Sequence, residues 1–324
     1  MTGTTYATNK TVLLSCFRNE APFVLEFVAH HKVLGFNQIV IASNDCTDGT
    51  VEILDALDAM GVIRHLPCVP SPNITPQHFA YTQARKIMDV DAADWLMILD
   101  ADELLNVHVG DGLLADLIAA QDANTDLVLI NWATFGAGGH ERWANQPSSQ
   151  RFVERARTFV GTAQVKSLIR HPKAWKQFSN HHPYGHTGGK PLHIAFAGGL
   201  WTENIAAESM AFGTHRNVEA RVSTFSIAQI NHYATRTVDS FALRRARGRG
   251  AGLLGKVNDR HTDDYFRRVS RGSFLDDTIS RYAEAVAALM ADYRKDQRLA
   301  NALANGLDLY EAEISRYWQA HDAG

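Results

Sequence analysis

The stretch that decides the fold is Asp94-Trp95-Leu96-Met97-Ile98-Leu99-Asp100-Ala101-Asp102-Glu103. Its run of large apolar residues predicts a strand that is buried on both faces of a sheet. The strand leads directly into acidic side chains, and carboxylates are rarely buried without a partner. We therefore expect the end of this strand to lie at a cleft that holds a cation.

The spacing of the acidic residues indicates which cation this is. In an extended chain, residues two apart share a face, so Asp100 and Asp102 are expected to point the same way. Such a pair suits a hard divalent ion, Mg²⁺ or Mn²⁺, that leaves coordination positions open for phosphate. The alternative is an acidic helix cap, in which Glu103 favours the first turn of a following helix.

Composition and charge narrow the class of protein. The chain has 324 residues, of which 45% are hydrophobic and 21% charged, as expected for a globular protein with a substantial core. A formal net charge of −3 gives no reason to expect a nucleic-acid partner. Its cysteines, Cys16, Cys46 and Cys68, form no CxxC pair, which is typical of a reducing compartment. With no visible signal peptide and no long apolar run, we expect a cytoplasmic protein without a transmembrane segment.

Strand and helix patterns alternate through residues 11–132. This order predicts a mostly parallel sheet flanked by helices, with right-handed crossovers. The predicted strands cover residues 11–16, 38–42, 62–66, 95–99 and 126–132, and the predicted helices cover residues 22–35, 51–57, 76–90 and 112–121.

Polar clusters follow the first, second and fourth of these strands. They are Arg18-Asn19-Glu20, Ser43-Asn44-Asp45 and Asp100-Ala101-Asp102. Ligands of parallel sheets bind outside the carboxyl ends of the strands, so we expect these clusters to share one pocket. The alternative is that all are ordinary turn residues.

The rest of the chain is less regular. Residues 133–232 are rich in Gly, His, Trp and Asn and show little periodicity, which favours functional loops over a second core. Amphipathic patterns at 279–293 and 299–318 predict helices. We therefore expect a main domain over residues 1–250 and a helical C-terminal extension over 251–324, packed on it.

Read in order, these motifs resemble the nucleotide-sugar-binding half of glycosyltransferases with the GT-A fold. The likeness is to the family 2-like group, especially its bacterial branch that is similar to family 92, and it covers about residues 11–250. It rests on the three polar clusters, on the loop that continues to Thr50, and on Ala84-Arg85-Lys86, Trp132-Ala133-Thr134-Phe135-Gly136-Ala137-Gly138-Gly139-His140, Lys166-Ser167-Leu168-Ile169-Arg170, His181-His182-Pro183 and Asn231-His232-Tyr233.

The resemblance implies a hexosyltransferase-like enzyme that takes a sugar from a UDP- or GDP-sugar. Asp100 and Asp102 would hold Mn²⁺ or Mg²⁺, which neutralises the charge of the departing diphosphate. His232 resembles the late histidine that such enzymes supply as a further ligand, although a neutral core imidazole is the alternative. The resemblance assigns donor binding to Arg18, Glu20, Asn44, Asp45, Arg85 and Lys166. For Arg85, the alternative is an ion pair with Asp89 on the same helix.

The family likeness also implies inversion at the anomeric carbon, which requires a general base for the acceptor hydroxyl. Glu203 lies at about the expected remove from the metal motif, and Glu141 is the competing candidate. His140 follows a Gly-Gly pair, and glycines let backbone approach a sugar closely, so we expect an acceptor contact there. The expected acceptor is a glycan or a lipid-linked molecule.

The basic run of Arg244, Arg245, Arg247 and Arg249 has several interpretations. It is a solvated helix end by its position, and a diphosphate-binding helix by resemblance. A peripheral contact with anionic lipid at the inner face of the membrane is a third.

Other classes of function have weaker support. A Mg²⁺-dependent phosphatase or nucleotidyltransferase also uses acidic strand ends, but an aspartate-nucleophile phosphatase needs its motif on the first strand, where Cys16-Phe17-Arg18 stands. A non-catalytic nucleotide-sugar-binding module is the other rival, and the intact acidic pair argues against it. His181, His182, His186 and His193 lack a cysteine partner and are broken up by Pro and Gly, which argues against structural zinc.

Overall fold

A computed structural model describes residues 9–157, 163–211, 217–219, 223–247, 261–270 and 272–321. Its first part confirms the predicted alternation of strands and helices. The elements are β1 (Thr11–Phe17), α1 (Val24–Val33), β2 (Gln38–Ser43), α2 (Thr50–Ala59), β3 (Arg64–Pro67), α3 (Pro76–Ile87), β4 (Trp95–Ile98), β5 (Glu103–Val107), α4 (Leu114–Ala119) and β6 (Leu127–Thr134).

Strand β1 is the central strand, since it pairs in parallel with β2 on one side and β4 on the other. Alternate side chains of β1 therefore enter different cores. Leu13 and Phe17 pack with α1 and α2, whereas Val12 and Leu14 pack with α3. Because both faces are covered, the sequence of β1 is almost entirely apolar.

The structure contradicts the prediction that residues 133–232 form loops. This region contributes α5 (Ser148–Arg151), β7 (Glu154–Arg155), β8 (Ala163–Arg170), β9 (Trp175–Phe178), β10 (Pro183–His186), β11 (Leu192–Phe196), β12 (Trp201–Ile205), β13 (Asn217–Val218) and β14 (Ala228–His232). Most of these strands are short and several are half-exposed, so their sequences carry little periodicity.

The main sheet has the strand order β12-β11-β6-β8-β4-β1-β2-β3. Strands β3, β2, β1, β4, β6 and β11 run in one direction, which makes the sheet mostly parallel, as predicted. Strand β8 is inserted antiparallel between β4 and β6. Strand β14 pairs with both β5 and the end of β6. The chain is thus an α/β protein. Strand β14, from late in the chain, lies beside β5, which directly follows the turn after β4.

The described C-terminal part contains α6 (Val238–Arg247), α7 (Asp263–Val269), β15 (Phe274–Leu275), α8 (Ala283–Tyr293) and α9 (Gln297–His321). Helices α8 and α9 confirm the two predicted amphipathic helices. The predicted domain boundary at residue 250 lies outside the described residues. No described helix combines the length and apolarity needed to cross a bilayer.

Helix α9 packs against the loop that precedes α2. Gly49 has φ +86° there, and a Cβ on it would lie 3.0 Å from the Cα of Gly306 in α9. A Cβ on Gly306 would lie 3.0 Å from the Cβ of Ala21, which directly follows Glu20. These glycines therefore set the distance between α9 and the loops after β1 and β2.

We expect Gly306→Val to destabilise the protein by about 1–3 kcal/mol, because the added methyl groups overpack this contact. The measurement is the free energy of unfolding in urea. Ala304→Val on the exposed face of α9 is the control for a valine without close neighbours. Helix propensity alone would favour Gly306→Val over this control, so a lower stability of Gly306→Val reports the packing. Equal stability of the two variants would contradict the close packing of α9 on these loops.

Candidate active site

The loops that follow β1 and β2 are joined side by side at the carboxyl edge of the sheet. Asn19 Oδ1 accepts the backbone N–H of Thr47 at 2.8 Å, and Asp48 Oδ2 accepts that of Ala21 at 3.0 Å. The hydroxyl of Thr50 accepts the N–H of Glu20 at 2.9 Å. Two of the predicted polar clusters therefore share one location.

The acidic residues after β4 form a tight turn rather than an extended strand end. The N–H of Glu103 donates to the carbonyl of Asp100 at 3.0 Å, and β5 starts at once, with no helix following. Asp100 and Asp102 consequently have different partners. The expectation of a shared direction is wrong because the chain is not extended here, and the acidic helix cap is excluded as well.

Asp100 and Glu103 lie beside Lys166, which the antiparallel insertion of β8 brings to the end of β4. The fully buried Lys166 ammonium is 2.9 Å from Asp100 Oδ2 and 2.8 Å from Glu103 Oε2. Burial alone would lower the pKa of Lys166, but these carboxylates raise it above its usual value. Gln77 of α3 donates to the other Asp100 oxygen at 2.7 Å.

Asp102 lies beside residues of β14 and α6 instead. Its Oδ2 lies 3.3 Å from Nε2 of His232 and accepts a hydrogen bond from Arg244 of α6. Burial would raise the pKa of Asp102, but Arg244 and then His232 hold it well below its usual value. Burial also lowers the pKa of His232, which favours the neutral imidazole, although Asp102 acts in the opposite direction.

Glu20 is the third buried carboxylate at this edge. Arg236 donates to its Oε2 at 3.2 Å, and Arg247 donates to its Oε1. Burial opposes ionisation, yet Arg247 and Arg236 lower the pKa of Glu20. Glu20, Arg236, Arg244 and Arg247 line a cavity of about 30 Å³ together with Tyr310 of α9.

The donor set next to Asp102 fits a divalent cation in its chemistry. A carboxylate oxygen suits Mg²⁺ or Mn²⁺, and a neutral imidazole is a common metal ligand. Asp102 Oδ2 and His232 Nε2 lie 3.3 Å apart, close enough for one ion to bind both atoms. No group of three metal-ligating side chains converges within the described part of the chain. Asp102 and His232 would hold the ion, whereas Asp100, in the same turn, pairs with Lys166 at 2.9 Å.

Other predicted donor residues lie at the same edge. Asn44 is buried and donates to Asp45 at 3.0 Å, while Asp45 itself is exposed with φ +47°. The carbonyl of Arg18 accepts a hydrogen bond from Arg247. The structure thus brings Arg18, Glu20, Asn44 and Asp45 to the strand ends, where their clusters were predicted, and it places Lys166 beside Asp100.

Arg85 is placed differently. It lies near the C-terminal end of α3, where its guanidinium pairs with Asp91 at 2.9 Å and donates to the carbonyl of Lys176 at 2.6 Å. Its Cζ stands 4.6 Å from the centre of the Phe178 ring. The structure therefore does not bring Arg85 to the polar clusters, and its ion pair is with Asp91 rather than Asp89.

Glu203 lies far from the acidic turn. The sheet register aligns Glu203 with Ile194, Leu127, Ile169 and Leu96, which is the start of β4 rather than its end. Strand β12 is also four strands away from β4, roughly 19 Å at the usual strand spacing. Glu203, the first candidate for the general base, therefore does not lie beside the acidic turn.

His140 and Glu141 lie in the loop that follows β6. That strand ends beside β14, with Thr134 opposite His232, so the loop begins at the carboxyl edge. The carbonyl of Glu141 accepts the N–H of Asp239 at 3.2 Å, which fixes the loop to the start of α6. Both side chains are exposed.

The histidines considered for zinc have separate partners. His181 and His182 bond the carbonyls of Val165 and Pro183, each at 2.9 Å. His193 contacts Asn204 at 3.1 Å. Arg249, the last member of the basic run, lies outside the described residues.

Arg236 and Gln77 contact the acidic residues of the site but are not predicted from the sequence. Arg236 follows His232 by four residues and has φ +48°, a turn conformation that places it over Phe23, 3.4 Å from the ring centre. Its position just after the Asn-His-Tyr motif was the available signal. Nothing in the local sequence of α3 distinguishes Gln77 from an ordinary polar helix residue.

No protein-family model matches the chain, and no curated protein matches it in sequence. Among solved structures it is similar to S. aureus TarS 1–349, with 15% identity over 96% of this chain and 92% of that chain, at TM-score 0.38. A second S. aureus TarS structure has 16% identity over 93% of this chain and 54% of that chain, at TM-score 0.37. A 4-diphosphocytidyl-2C-methyl-D-erythritol synthase has 14% identity over 51% of this chain and 77% of that chain, at TM-score 0.30. Similarity at this level identifies neither a family nor an activity.

We expect Lys166→Met to lower the free energy of unfolding by about 3–5 kcal/mol, because it leaves the buried Glu103 carboxyl without its cation. Lys190→Met is the control, since Lys190 is an exposed lysine that pairs with Asp126 at 3.3 Å. Its loss should cost at most about 1 kcal/mol. Urea unfolding measures both, and equal effects would contradict a structural role for the Lys166 ion pairs.

Proposed function

We propose that the protein is a glycosyltransferase that moves a sugar from a nucleoside-diphosphate donor to an acceptor hydroxyl, with inversion and with Mn²⁺ or Mg²⁺. The observation that carries this proposal is the meeting of Asp102, His232 and Arg244 at the carboxyl edge of the sheet. Metal-ligating atoms and phosphate-binding guanidinium groups are thus neighbours, as a nucleoside diphosphate and its cation require.

The chemical roles follow from the contacts. Asp102 and His232 would hold the cation, which supplies charge stabilisation for the departing diphosphate. Arg236, Arg244 and Arg247 present planar donors that match phosphate oxygens. The loops with Asn44 and Asp45 would contact the nucleoside, since they follow β2 at the same edge. The loop with His140 and Glu141 would contact the acceptor.

A binding experiment tests the donor and the metal together. We expect UDP or GDP to bind with Mn²⁺ and much more weakly with EDTA, measured by isothermal titration calorimetry. Asp102→Asn should weaken the metal-assisted binding, because it removes a charged ligand. Asp111→Asn, an exposed acid, should bind as the wild type does. Equal affinity in EDTA and in Mn²⁺ would refute the metal-dependent donor site.

Turnover separates the rival functions. Slow hydrolysis of a nucleotide sugar without acceptor favours the transferase, binding without any turnover favours a binding module, and release of phosphate from p-nitrophenyl phosphate favours a phosphatase.

The base is tested by a pair of carboxamide variants. Since Glu141 lies in the loop at the carboxyl edge, Glu141→Gln should slow transfer by about 10²–10⁴-fold while donor affinity barely changes. Glu203→Gln should keep near wild-type turnover, because Glu203 lies on a distant edge strand. Full activity in both variants would move the assignment to His140.

A further inference from the structure

Asp102 already has a cation of its own. Arg244 donates to Oδ2 of Asp102, the same oxygen that lies 3.3 Å from His232 Nε2. The Asp102 side chain is only 3% exposed, so this pair is shielded from solvent. The guanidinium thus occupies the oxygen at which a metal ion shared with His232 would bind.

The helix that carries Arg244 is fixed at both ends. At its start, Asp239 accepts hydrogen bonds from the N–H of Trp143 and from Nε1 of Trp318, both at 2.8 Å. At its end, Arg247 is bound to Glu20 and to the carbonyl of Asn19. Arg244 therefore reaches Asp102 from a firmly placed backbone. Its side chain is 22% exposed and also donates to the carbonyl of Ala234 at 3.0 Å, so a move away from Asp102 gives up that bond as well.

The neighbouring cavity is lined by Arg236, Arg244 and Arg247, and it is small while Arg244 is bonded to Asp102. At about 30 Å³ it holds one or two water molecules, far less than a diphosphate needs. A divalent ion at Asp102 would also stand against the positive charge of Arg244. Electrostatic repulsion and space both require that this guanidinium leave before the ion binds.

We propose that Arg244 is the resident counter-ion of Asp102 and that a divalent cation binds by displacing it. The exchange rests on the proposed function for the identity of the metal site. The displaced guanidinium stays beside Arg236 and Arg247, where it is available to an anion. Cation and nucleoside diphosphate then bind with positive linkage, because each favours the same displaced position of Arg244.

The test is a titration of Mn²⁺ alone, without nucleotide, into the wild type, Arg244→Met and Arg245→Met. Removing the competing cation should make Arg244→Met bind Mn²⁺ about tenfold tighter or more. Arg245 lies on the same helix but pairs with Asp263, at 2.8 Å, so Arg245→Met should match the wild type. Equal or weaker Mn²⁺ affinity of Arg244→Met would overturn the exchange.

A second readout covers a loss of stability in Arg244→Met. Without metal its Tm should fall, since Asp102 loses its counter-ion, and saturating Mn²⁺ should raise that Tm more than it raises the wild-type Tm. Arg244→Lys, which keeps the charge, should have a Mn²⁺ affinity near that of the wild type. An equal Mn²⁺-induced rise in all variants would overturn the proposal.

The outcomes also separate this inference from the proposed function. If the wild type binds UDP with Mn²⁺ but Arg244→Met binds Mn²⁺ no more tightly, only the exchange fails. If neither protein binds Mn²⁺, the exchange and the metal-dependent function both fail. Loss of UDP-induced tightening of Mn²⁺ in Arg244→Met, with that tightening kept in Arg245→Met, supports the linkage.

Discussion

The structure depends on the need to pair carboxylates that are buried at one edge of the sheet. Glu20, Asp102 and Glu103 are at most 5% exposed, and each lies beside a cation from a distant part of the chain. An unpaired charge in a low-dielectric interior is costly, and burial raises the pKa of Glu103 well above its usual value even beside Lys166. The fold delivers a lysine or an arginine to each of these groups. The positions of β8 and α6 satisfy this requirement.

The same requirement explains why the late part of the chain is so closely tied to the early part. Strand β14 brings His232 beside the acidic turn, and the N–H of Tyr233 donates to the carbonyl of Asp102 at 2.8 Å. Helix α6 follows, and its Asp239 is held by Trp318 of α9. Helix α9 in turn packs its Gly306 against the loop at Gly49. Helix α9 therefore contacts both α6 and the loop after β2, and it holds these two parts of the site in place.

In a site built in this way, the buried charges are paired even when no ligand is bound. Glu20, Asp100, Asp102 and Glu103 each lie beside a protein cation, and the cavity among the arginines is small. Ligands of opposite charge then enter by exchanging partners rather than by filling a vacant cage. The cost of breaking one ion pair is offset by the new one, which makes binding of a cation and of an anion mutually dependent.

Local sequence patterns are sufficient to predict the alternating elements through β6 and the burial of β1 and β4. They also predict the strand ends at which Arg18, Glu20, Asn44, Asp45 and Asp100 lie. Those features follow from local periodicity and from the rule that ligands meet the carboxyl ends of parallel strands. Only the tertiary structure decided the antiparallel insertion of β8, the divergence of Asp100 from Asp102, and the distant placement of Glu203 and Arg85. These depend on strand register and on ion pairs between residues far apart in the chain. Neither leaves a periodic signal in the sequence, because register is set by which segments pair and not by the composition of each.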